Sequence, residues 1–264
     1  MIEKFYTYIT PFRINRRVEV YLPDDYYESN ERYPVIYMYD GHNLFFNQDA
    51  TYGKSWGLRE FMDQYPKKMI IIGVECNHSG NERHREYFPY HLKPKYLYTD
   101  FLDGKGIQYM DWLTGEFKND MDKKYRTLPD RENTMIAGAS MGGLMSLYSV
   151  IKYNNVFKYA ACLSSAIMLC KHELIADIKA TNINPDTKIY MDFGGAEWDT
   201  EHILKMHKEI ENELLKKHVQ FKFHFEPKGE HCEADWEKRV SIYMKFLFGE
   251  WFFSKKTKYN FTIF

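Results

Sequence analysis

The sequence predicts an α/β fold: a mostly parallel central sheet with an antiparallel N-terminal edge and helices on both faces. Continuous apolar runs at residues 34–39 and 68–74 are typical of strands buried on both faces. Segments with helical spacing alternate with such runs along the chain. A glycine-rich turn around Ser140 joins one run to a helix-like segment. With 264 residues, 44% of them hydrophobic, we expect one large domain spanning 1–264.

The N-terminal third is predicted to supply the edge and the first central strands. Residues 3–9 and 16–22 form two strands, because polar and apolar side chains alternate along the second. Two strands before the first helix indicate an antiparallel edge on the sheet. Residues 34–39 and 68–74 follow as buried strands, with a short helix at 56–65 between them.

A long polar insertion at residues 75–105 interrupts the alternation of strands and helices. A stretch of this length inside a compact domain tends to be functional. We expect it to cross the same face as the Ser140 turn, where it could form a pocket wall or simply a solvated loop.

The remaining elements are predicted in order from spacing and composition. Residues 106–125 show helical spacing, although Gly115 weakens the pattern. Later strands are expected at 135–139, 159–163, 188–193 and 219–225; helices at 144–153, 200–218 and after Gly229; a helix and loop with lid character at 166–184; and an irregular tail at 254–264.

Charge and cysteine usage exclude several function classes. Lysine and arginine total 36 against 37 aspartate and glutamate, so no strong field favours nucleic acid or an anionic membrane. Neither a signal-peptide core nor an apolar run of membrane-spanning length is present. We expect a cytoplasmic protein with a small-molecule substrate, and self-association stays open. The scattered cysteines predict free thiols rather than disulfides or a metal site: Cys76, Cys162, Cys170 and Cys232.

The segment Gly138-x-Ser140-x-Gly142 carries the strongest chemical signal. A strand, a tight turn with serine at its apex and a helix form the nucleophile elbow of an α/β-hydrolase. Small flanking residues let strand and helix approach closely. A glycine-rich βα turn without catalytic function is the alternative.

A serine nucleophile needs a base and a carboxylate that orients the base. In α/β-hydrolases these follow in the chain order serine, acid, histidine, on loops after later strands. His231 follows the last predicted strand, so it is the candidate base. Glu197 and Asp199 both follow residues 188–193. Glu197 is favoured as the acid, while Asp199 could instead cap the following helix.

Backbone N–H groups are the candidate oxyanion donors. The first donor is Met141, immediately after the proposed nucleophile. The second is expected from the loop after residues 34–39, where His42 is proposed and Asn43 is the alternative. Ordinary turn formation explains both of the loop residues equally well. Trp56 could line a substrate pocket or pack in the core.

Five segments of the chain match a known family, and they lie at residues 18–23, 33–37, 40–45, 138–143 and 229–231. With these segments the chain resembles the esterase D family of α/β-hydrolases, also called the putative esterase family. This family includes feruloyl, acetylxylan and enterochelin-type esterases, S-formylglutathione hydrolases and mycolyltransferases. The resemblance implies Ser140 as nucleophile, His231 as base and the acid at Glu197, where this chain reads Gly194-Gly-Ala-Glu197 and many relatives read Gly-Thr-x-Asp/Glu.

The expected function is therefore a serine esterase that hydrolyses carboxylic esters, including carbohydrate-linked acyl esters, without cofactor or metal. An acyltransferase, or a hydrolase of thioesters or siderophore esters, is the alternative on the same fold. A non-catalytic, hydrolase-like binding module is the alternative from another class. The intact order of serine, acid and histidine argues against that last reading.

Overall fold

The computed structural model describes residues 1–93 and 101–249, which form one large sheet, a small hairpin and the surrounding helices. The strands of this part of the chain are β1 (Ile2–Ile9), β2 (Ile14–Tyr21), β3 (Val35–Tyr39), β4 (Ile70–Val74), β5 (His91–Leu92), β6 (Leu102–Asp103), β7 (Thr134–Ala139), β8 (Tyr159–Leu163), β9 (Lys188–Gly194) and β10 (Gln220–Glu226). The α-helices are α1 (Leu58–Gln64), α2 (Glu82–Glu86), α3 (Gly106–Trp112), α4 (Lys118–Lys124), α5 (Met141–Lys152), α6 (Lys171–Ala180), α7 (Thr200–Leu215) and α8 (Glu233–Phe248).

The large sheet has eight strands in the order β1-β2-β4-β3-β7-β8-β9-β10. β1 pairs antiparallel with β2, and β2 pairs antiparallel with β4. All other neighbours in this sheet are parallel. The predicted α/β fold, with a mostly parallel sheet and an antiparallel N-terminal edge, is therefore confirmed.

Strand β3 shows how the sheet divides the apolar core. Its side chains alternate, so Tyr37 and Tyr39 face one layer while Ile36 and Met38 face the other. The first layer includes buried side chains of α3, α5 and α6, and the second includes those of α1 and α8. Burial on both faces accounts for the unbroken apolar runs of the central strands.

The parallel arrangement fixes where loops can meet. β3, β7, β8, β9 and β10 run in one direction, so their carboxyl ends reach the same edge of the sheet. In open α/β sheets, that edge is where ligands bind. The segments that follow β3, β7, β9 and β10 carry every candidate residue of the predicted site, including Trp56 near the end of the loop after β3.

The structure differs from the sequence prediction in three segments. The helix expected at 106–125 contains a π-helical turn, Leu113–Phe117, around Gly115. The insertion at 75–105 folds partly into α2 and the β5–β6 hairpin, and its residues 94–100 lie outside the described residues. The lid character expected at 166–184 is wrong for α6, because Leu174 and Ile178 of this helix are fully buried in the core.

Two further expectations concern the ends and the surface. The predicted irregular tail at 254–264 lies outside the described residues. Within the described residues, every helix is too short or too polar to cross a lipid bilayer.

Candidate active site

Ser140 lies at the tight turn between β7 and α5. Its backbone has φ 59° and ψ −121°, a conformation that is costly for a residue with a side chain. The flanking glycines make the turn sterically feasible, since a Cβ on Gly138 would lie 2.8 Å from the carbonyl carbon of Gly142. Ser140 N–H donates to Leu163 O at 3.0 Å, which fixes the turn to β8. Ser140 is partly exposed.

His231 and Glu197 form a hydrogen-bonded pair at the same sheet edge. His231 Nδ1 lies 2.9 Å from Glu197 Oε2. The Glu197 side chain is 0% exposed, whereas the His231 side chain is 23% exposed. Glu197 Oε1 accepts from Gly194 N–H at 2.8 Å and from the Ser164 hydroxyl at 2.6 Å. Three donors therefore hold the buried carboxylate. Among the residues that the structure describes, the other ring nitrogen of His231 has no hydrogen-bond partner.

Asp199, the alternative acid, lies at the start of α7. Its carboxylate accepts from His202 N–H at 3.4 Å, which is the contact of a helix N-cap. The residue is exposed, unlike the buried carboxylate of Glu197. Of the two carboxylates in this loop, that of Glu197 contacts His231, whereas that of Asp199 caps the first turn of α7.

A buried polar layer, formed by Ser164, Asp192, Trp236 and Arg239, lies on the interior side of the Glu197 carboxylate. Ser164, with φ 42°, accepts from Trp236 Nε1 at 2.9 Å while it donates to Glu197. Arg239 donates to Asp192 at 2.8 Å, and its other terminal nitrogen lies 3.9 Å from Glu197 Oε1. Burial raises the pKa of Asp192, and the Arg239 guanidinium opposes that shift. This layer fixes the carboxylate within the protein interior.

Sequence reasoning missed this buried layer. Ser164 is the first residue after β8, and Asp192 lies near the end of the neighbouring strand β9. Trp236 and Arg239 are three residues apart on α8. The only available signal was that helical spacing, which places both α8 side chains on one face. Nothing in the sequence indicated that this face meets the carboxylate loop.

The loop after β3 supplies a free backbone donor. It forms a short 3₁₀ turn at Gly41–Asn43, entered through Asp40 with φ 55°. Asn43 N–H donates to Asp40 O at 2.9 Å, so this donor is already used. In the described part of the chain, His42 N–H and Met141 N–H make no such bond. Within these described residues, the N–H groups of His42 and Met141 are therefore open, whereas that of the alternative, Asn43, is engaged.

Side chains anchor this loop to the rest of the site. Asn43 Nδ2 donates to Glu233 Oε1 at 3.0 Å, which joins the loop to the start of α8. Arg83 of α2 binds both oxygens of Asp40, at 2.8 and 2.7 Å. Burial raises the pKa of Asp40, but Arg83 outweighs burial and leaves this pKa below its ordinary value. The insertion thus contributes an anchor beneath the loop.

Aromatic side chains surround His231. Trp198 is 50% exposed, and its ring centroid lies 4.4 Å from that of His231. Trp236 lies 5.0 Å from the His231 ring on its buried side. Trp56 is buried and packs on Trp236 at 5.6 Å, so it forms part of the core behind the site. Trp198 is the aromatic residue that presents a surface beside the imidazole.

Two groups of side chains in the described residues have the composition of metal ligands. One comprises His42, Cys76 and His78 beneath the loop after β3; the other comprises Glu230, Cys232 and Asp235 beside His231. In the second group, Asp235 already accepts from Glu230 N–H at 2.7 Å and pairs with Lys238.

Comparison with known proteins gives one family match and several related structures. The family model described as Putative esterase matches residues 12–244. The uncharacterized protein YbbA of Bacillus subtilis is 27% identical over 211 residues, which cover 77% of this chain and 79% of that protein. An IroE-like serine hydrolase from Shewanella oneidensis superposes with a TM-score of 0.77 at 17% identity, covering 94% of this chain and 80% of that chain.

A ferulic acid esterase from Anaeromyces mucronatus shares the same fold. It superposes with a TM-score of 0.66 at 19% identity and covers 94% of this chain and 91% of that chain. At these identities the structural likenesses concern the fold, and they agree with the α/β-hydrolase architecture predicted from the glycine-rich turn.

Proposed function

This chain belongs to the Putative esterase family and is a carboxylic ester hydrolase, and we propose that it acts through an acyl-enzyme formed on Ser140. The observation that carries this proposal is the 2.9 Å contact between His231 Nδ1 and Glu197 Oε2 at the sheet edge that presents Ser140. A serine hydroxyl is a poor nucleophile at neutral pH, so a base held in one tautomer by a buried acid is what it requires.

The first half of the reaction forms the acyl-enzyme. Ser140 Oγ attacks the ester carbonyl carbon, and His231 Nε2 takes the hydroxyl proton. Glu197 accepts from Nδ1–H and stabilises the imidazolium that develops. The tetrahedral intermediate then collapses, and the imidazolium gives its proton to the departing alkoxide, which leaves as an alcohol.

The developing oxyanion is bound by backbone donors. In this proposal, Met141 N–H and His42 N–H point at the carbonyl oxygen as it becomes negative. Such preorganised donors cost no reorganisation when charge develops, and one of them contributes about 10²-fold to 10³-fold in rate. The start of α5 adds the positive end of the helix dipole at the same place.

The second half releases the acyl group. A water molecule enters, and its oxygen attacks the acyl carbon while His231 Nε2 removes one of its protons. This attack forms a second tetrahedral intermediate. As that intermediate collapses, His231 returns the proton to Ser140 Oγ and the carboxylic acid is released. No metal or organic cofactor takes part in this proposed cycle.

For the substrate, we propose esters that carry a flat ring, including carbohydrate-linked acyl esters. Trp198 offers a half-exposed indole beside His231, and aromatic faces stack on phenolic and sugar rings. The ferulic acid esterase with the same fold acts on esters of an aromatic acid, as its name states. A turnover panel of acetyl, butyryl and feruloyl esters of sugars and of simple alcohols would test this choice.

Hydrolysis of 4-nitrophenyl acetate tests the proposed nucleophile. Ser140→Ala should lower kcat/KM by at least about 10⁴-fold, because the covalent route is removed. Ser165→Ala is the matched control, since this buried hydroxyl lies near the same turn and makes no hydrogen bond in the described structure. The control should keep the activity within a few-fold. A Ser140→Ala protein that retains a tenth of the wild-type rate would sink the proposal.

A further inference from the structure

Three potential metal ligands lie close together where the loops after β3 and β4 meet. His42 comes from that loop, while Cys76 and His78 follow the neighbouring strand β4. Their ligand atoms all lie within 4.8 Å of one another. Cys76 Sγ lies 4.0 Å from His78 Nδ1, and the two imidazole rings meet edge to face at 4.7 Å.

Both histidines are oriented as metal-binding histidines are. His42 Nε2 lies 2.9 Å from the Thr51 hydroxyl, and His78 Nε2 lies 3.2 Å from Glu75 Oε1. When each Nε2–H donates to its oxygen partner, each Nδ1 keeps a free lone pair. Outer oxygen partners of this kind fix the tautomer and the ring orientation of histidines that bind metals.

The inner nitrogen of His42 is an unsatisfied polar atom. His42 is 2% exposed, and its Nδ1 is buried without a hydrogen-bond partner in the described structure. A buried nitrogen left unpaired destabilises a protein, so its presence calls for an explanation. A cation bound between this nitrogen and the Cys76 sulfur would satisfy it.

We propose that His42 Nδ1, Cys76 Sγ and His78 Nδ1 bind a zinc-class divalent ion, with water as the fourth ligand. Two imidazole nitrogens and one sulfur form a donor set that Zn²⁺ prefers. Zinc bond lengths require nitrogen and sulfur ligands about 3.5 Å apart in a tetrahedral site. The ligand atoms therefore have to move together by about 0.5 Å to about 1.3 Å. His78 can supply part of this movement, because its side chain is 54% exposed on a loop.

Binding of the ion releases one proton and involves no redox step. The Cys76 thiol loses its proton to solvent as the sulfur–metal bond forms. Arg83, one of the guanidinium groups that act on Cys76, is already paired with Asp40 at 2.7 Å. Burial and the Asp40 carboxylate raise the pKa of the free Cys76 thiol, so the bound ion itself has to stabilise the thiolate. The bound ion joins the loops after β3 and β4. This departs from the expectation of no metal site, which rested only on the spacing of the cysteines to one another.

Cobalt titration of the full-length, tag-free protein tests the site by a readout independent of ester hydrolysis. Co²⁺ is the probe, because tetrahedral Co²⁺ with a thiolate ligand gives intense visible bands and a sulfur-to-cobalt charge-transfer band. We expect one equivalent to bind with both signatures, Zn²⁺ to displace it, and the thermal midpoint to rise with added Zn²⁺. Cys76→Ser should abolish the charge-transfer band.

Two further variants make the outcome decisive. His78→Ala alters an exposed side chain and should weaken Co²⁺ binding at least about tenfold, even if Cys76→Ser does not fold. Cys232→Ser, in the second ligand group, is the matched control and should leave the spectrum unchanged. The proposal is overturned if wild-type protein shows no charge-transfer band, if the band is lost in Cys232→Ser, or if His78→Ala binds as tightly as wild type.

Discussion

Glu197 is the residue that holds the His231 imidazole in place in the proposed catalytic site. It is fully buried, and it contacts His231, Ser164 and the backbone of Gly194. A buried carboxylate with several donors is rigid, which suits a group that must hold an imidazole in one tautomer. Chain order pointed to the loop that carries Glu197. It could not choose between two carboxylates two residues apart, because the choice depends on which one turns inward.

Exchanging each loop carboxylate for its amide separates their roles. Glu197→Gln should lower kcat/KM by about 10³-fold, because an amide no longer holds the productive tautomer of His231. Asp199→Asn should leave kcat/KM within a few-fold, since the amide still caps α7. Steady-state hydrolysis of 4-nitrophenyl acetate measures both. Equal losses in the two variants, or a loss only in Asp199→Asn, would contradict the assignment.

Trp198 should govern affinity for ring-bearing esters. Trp198→Ala removes the half-exposed indole beside His231, and ring stacking contributes about 1 kcal/mol. We expect kcat/KM for a feruloyl ester to fall about fivefold and that for the matching acetyl ester to stay nearly constant. Trp198→Phe is the control and should retain most of the preference. A uniform loss for both esters would argue against a stacking role.

At the scale of the elements, the turn after β3 depends on contact between two backbones. A Cβ on Gly41 would lie 2.4 Å from the carbonyl carbon of Gly73 in β4. Backbone atoms cannot move aside as a flexible side chain can, so the loop with His42 reaches its position only with glycine there. The sequence suggested a loop that exposes N–H groups, but not this contact with the neighbouring strand.

Two glycine-to-alanine substitutions test that contact. Gly41→Ala should destabilise the fold by about 1–3 kcal/mol through overpacking and should lower kcat by displacing His42 N–H. Gly115→Ala is the control, because a Cβ there meets no atom within 4 Å and the residue lies in a helical turn. It should raise stability by up to about 1 kcal/mol without changing activity. Urea unfolding and ester kinetics measure the stability and the activity of the two variants. A Gly41→Ala protein that is more stable than Gly115→Ala would contradict this account of the turn.

Helix α7 carries a buried histidine that couples stability to pH. His207 packs between Phe193 and Phe223, and burial lowers its pKa to about 3. Below about pH 6.5 the unfolded chain gains a proton at this residue while the folded chain does not. Folding stability should therefore decrease as pH falls from about 6.5 to 3, by up to about 1.4 kcal/mol per pH unit from this residue.

Replacing that histidine should remove this contribution. Between pH 7 and pH 4.5, the free energy of unfolding of His207→Phe should fall by about 2–3 kcal/mol less than that of wild type. Urea unfolding at the two pH values measures this difference. His172→Gln, which changes an exposed histidine, is the control and should follow the wild-type curve. A His207→Phe curve parallel to that of wild type would show that the buried ring does not cause the pH dependence.

At the scale of the whole molecule, the parallel sheet is what brings distant residues together. Apolar runs and alternation were enough to predict the strands of the large sheet, because strand burial leaves a direct pattern in the sequence. The direction of the central strands then predicted a shared edge for the loops with Ser140, Glu197 and His231. The buried layer of Ser164, Asp192 and Arg239 could not be predicted, because it depends on side chains of β9, α8 and the turn after β8 meeting in space.

The central claim is that this fold makes Ser140 a reactive nucleophile, and fluorophosphonate labelling with peptide mapping tests it most directly. The native protein should form a single stoichiometric adduct on the peptide that contains Ser140. Ser140→Ala and urea-unfolded wild type should form none, while Ser165→Ala should react as wild type does. An adduct on another residue, an adduct that persists in Ser140→Ala, or no adduct on the native protein would contradict the account.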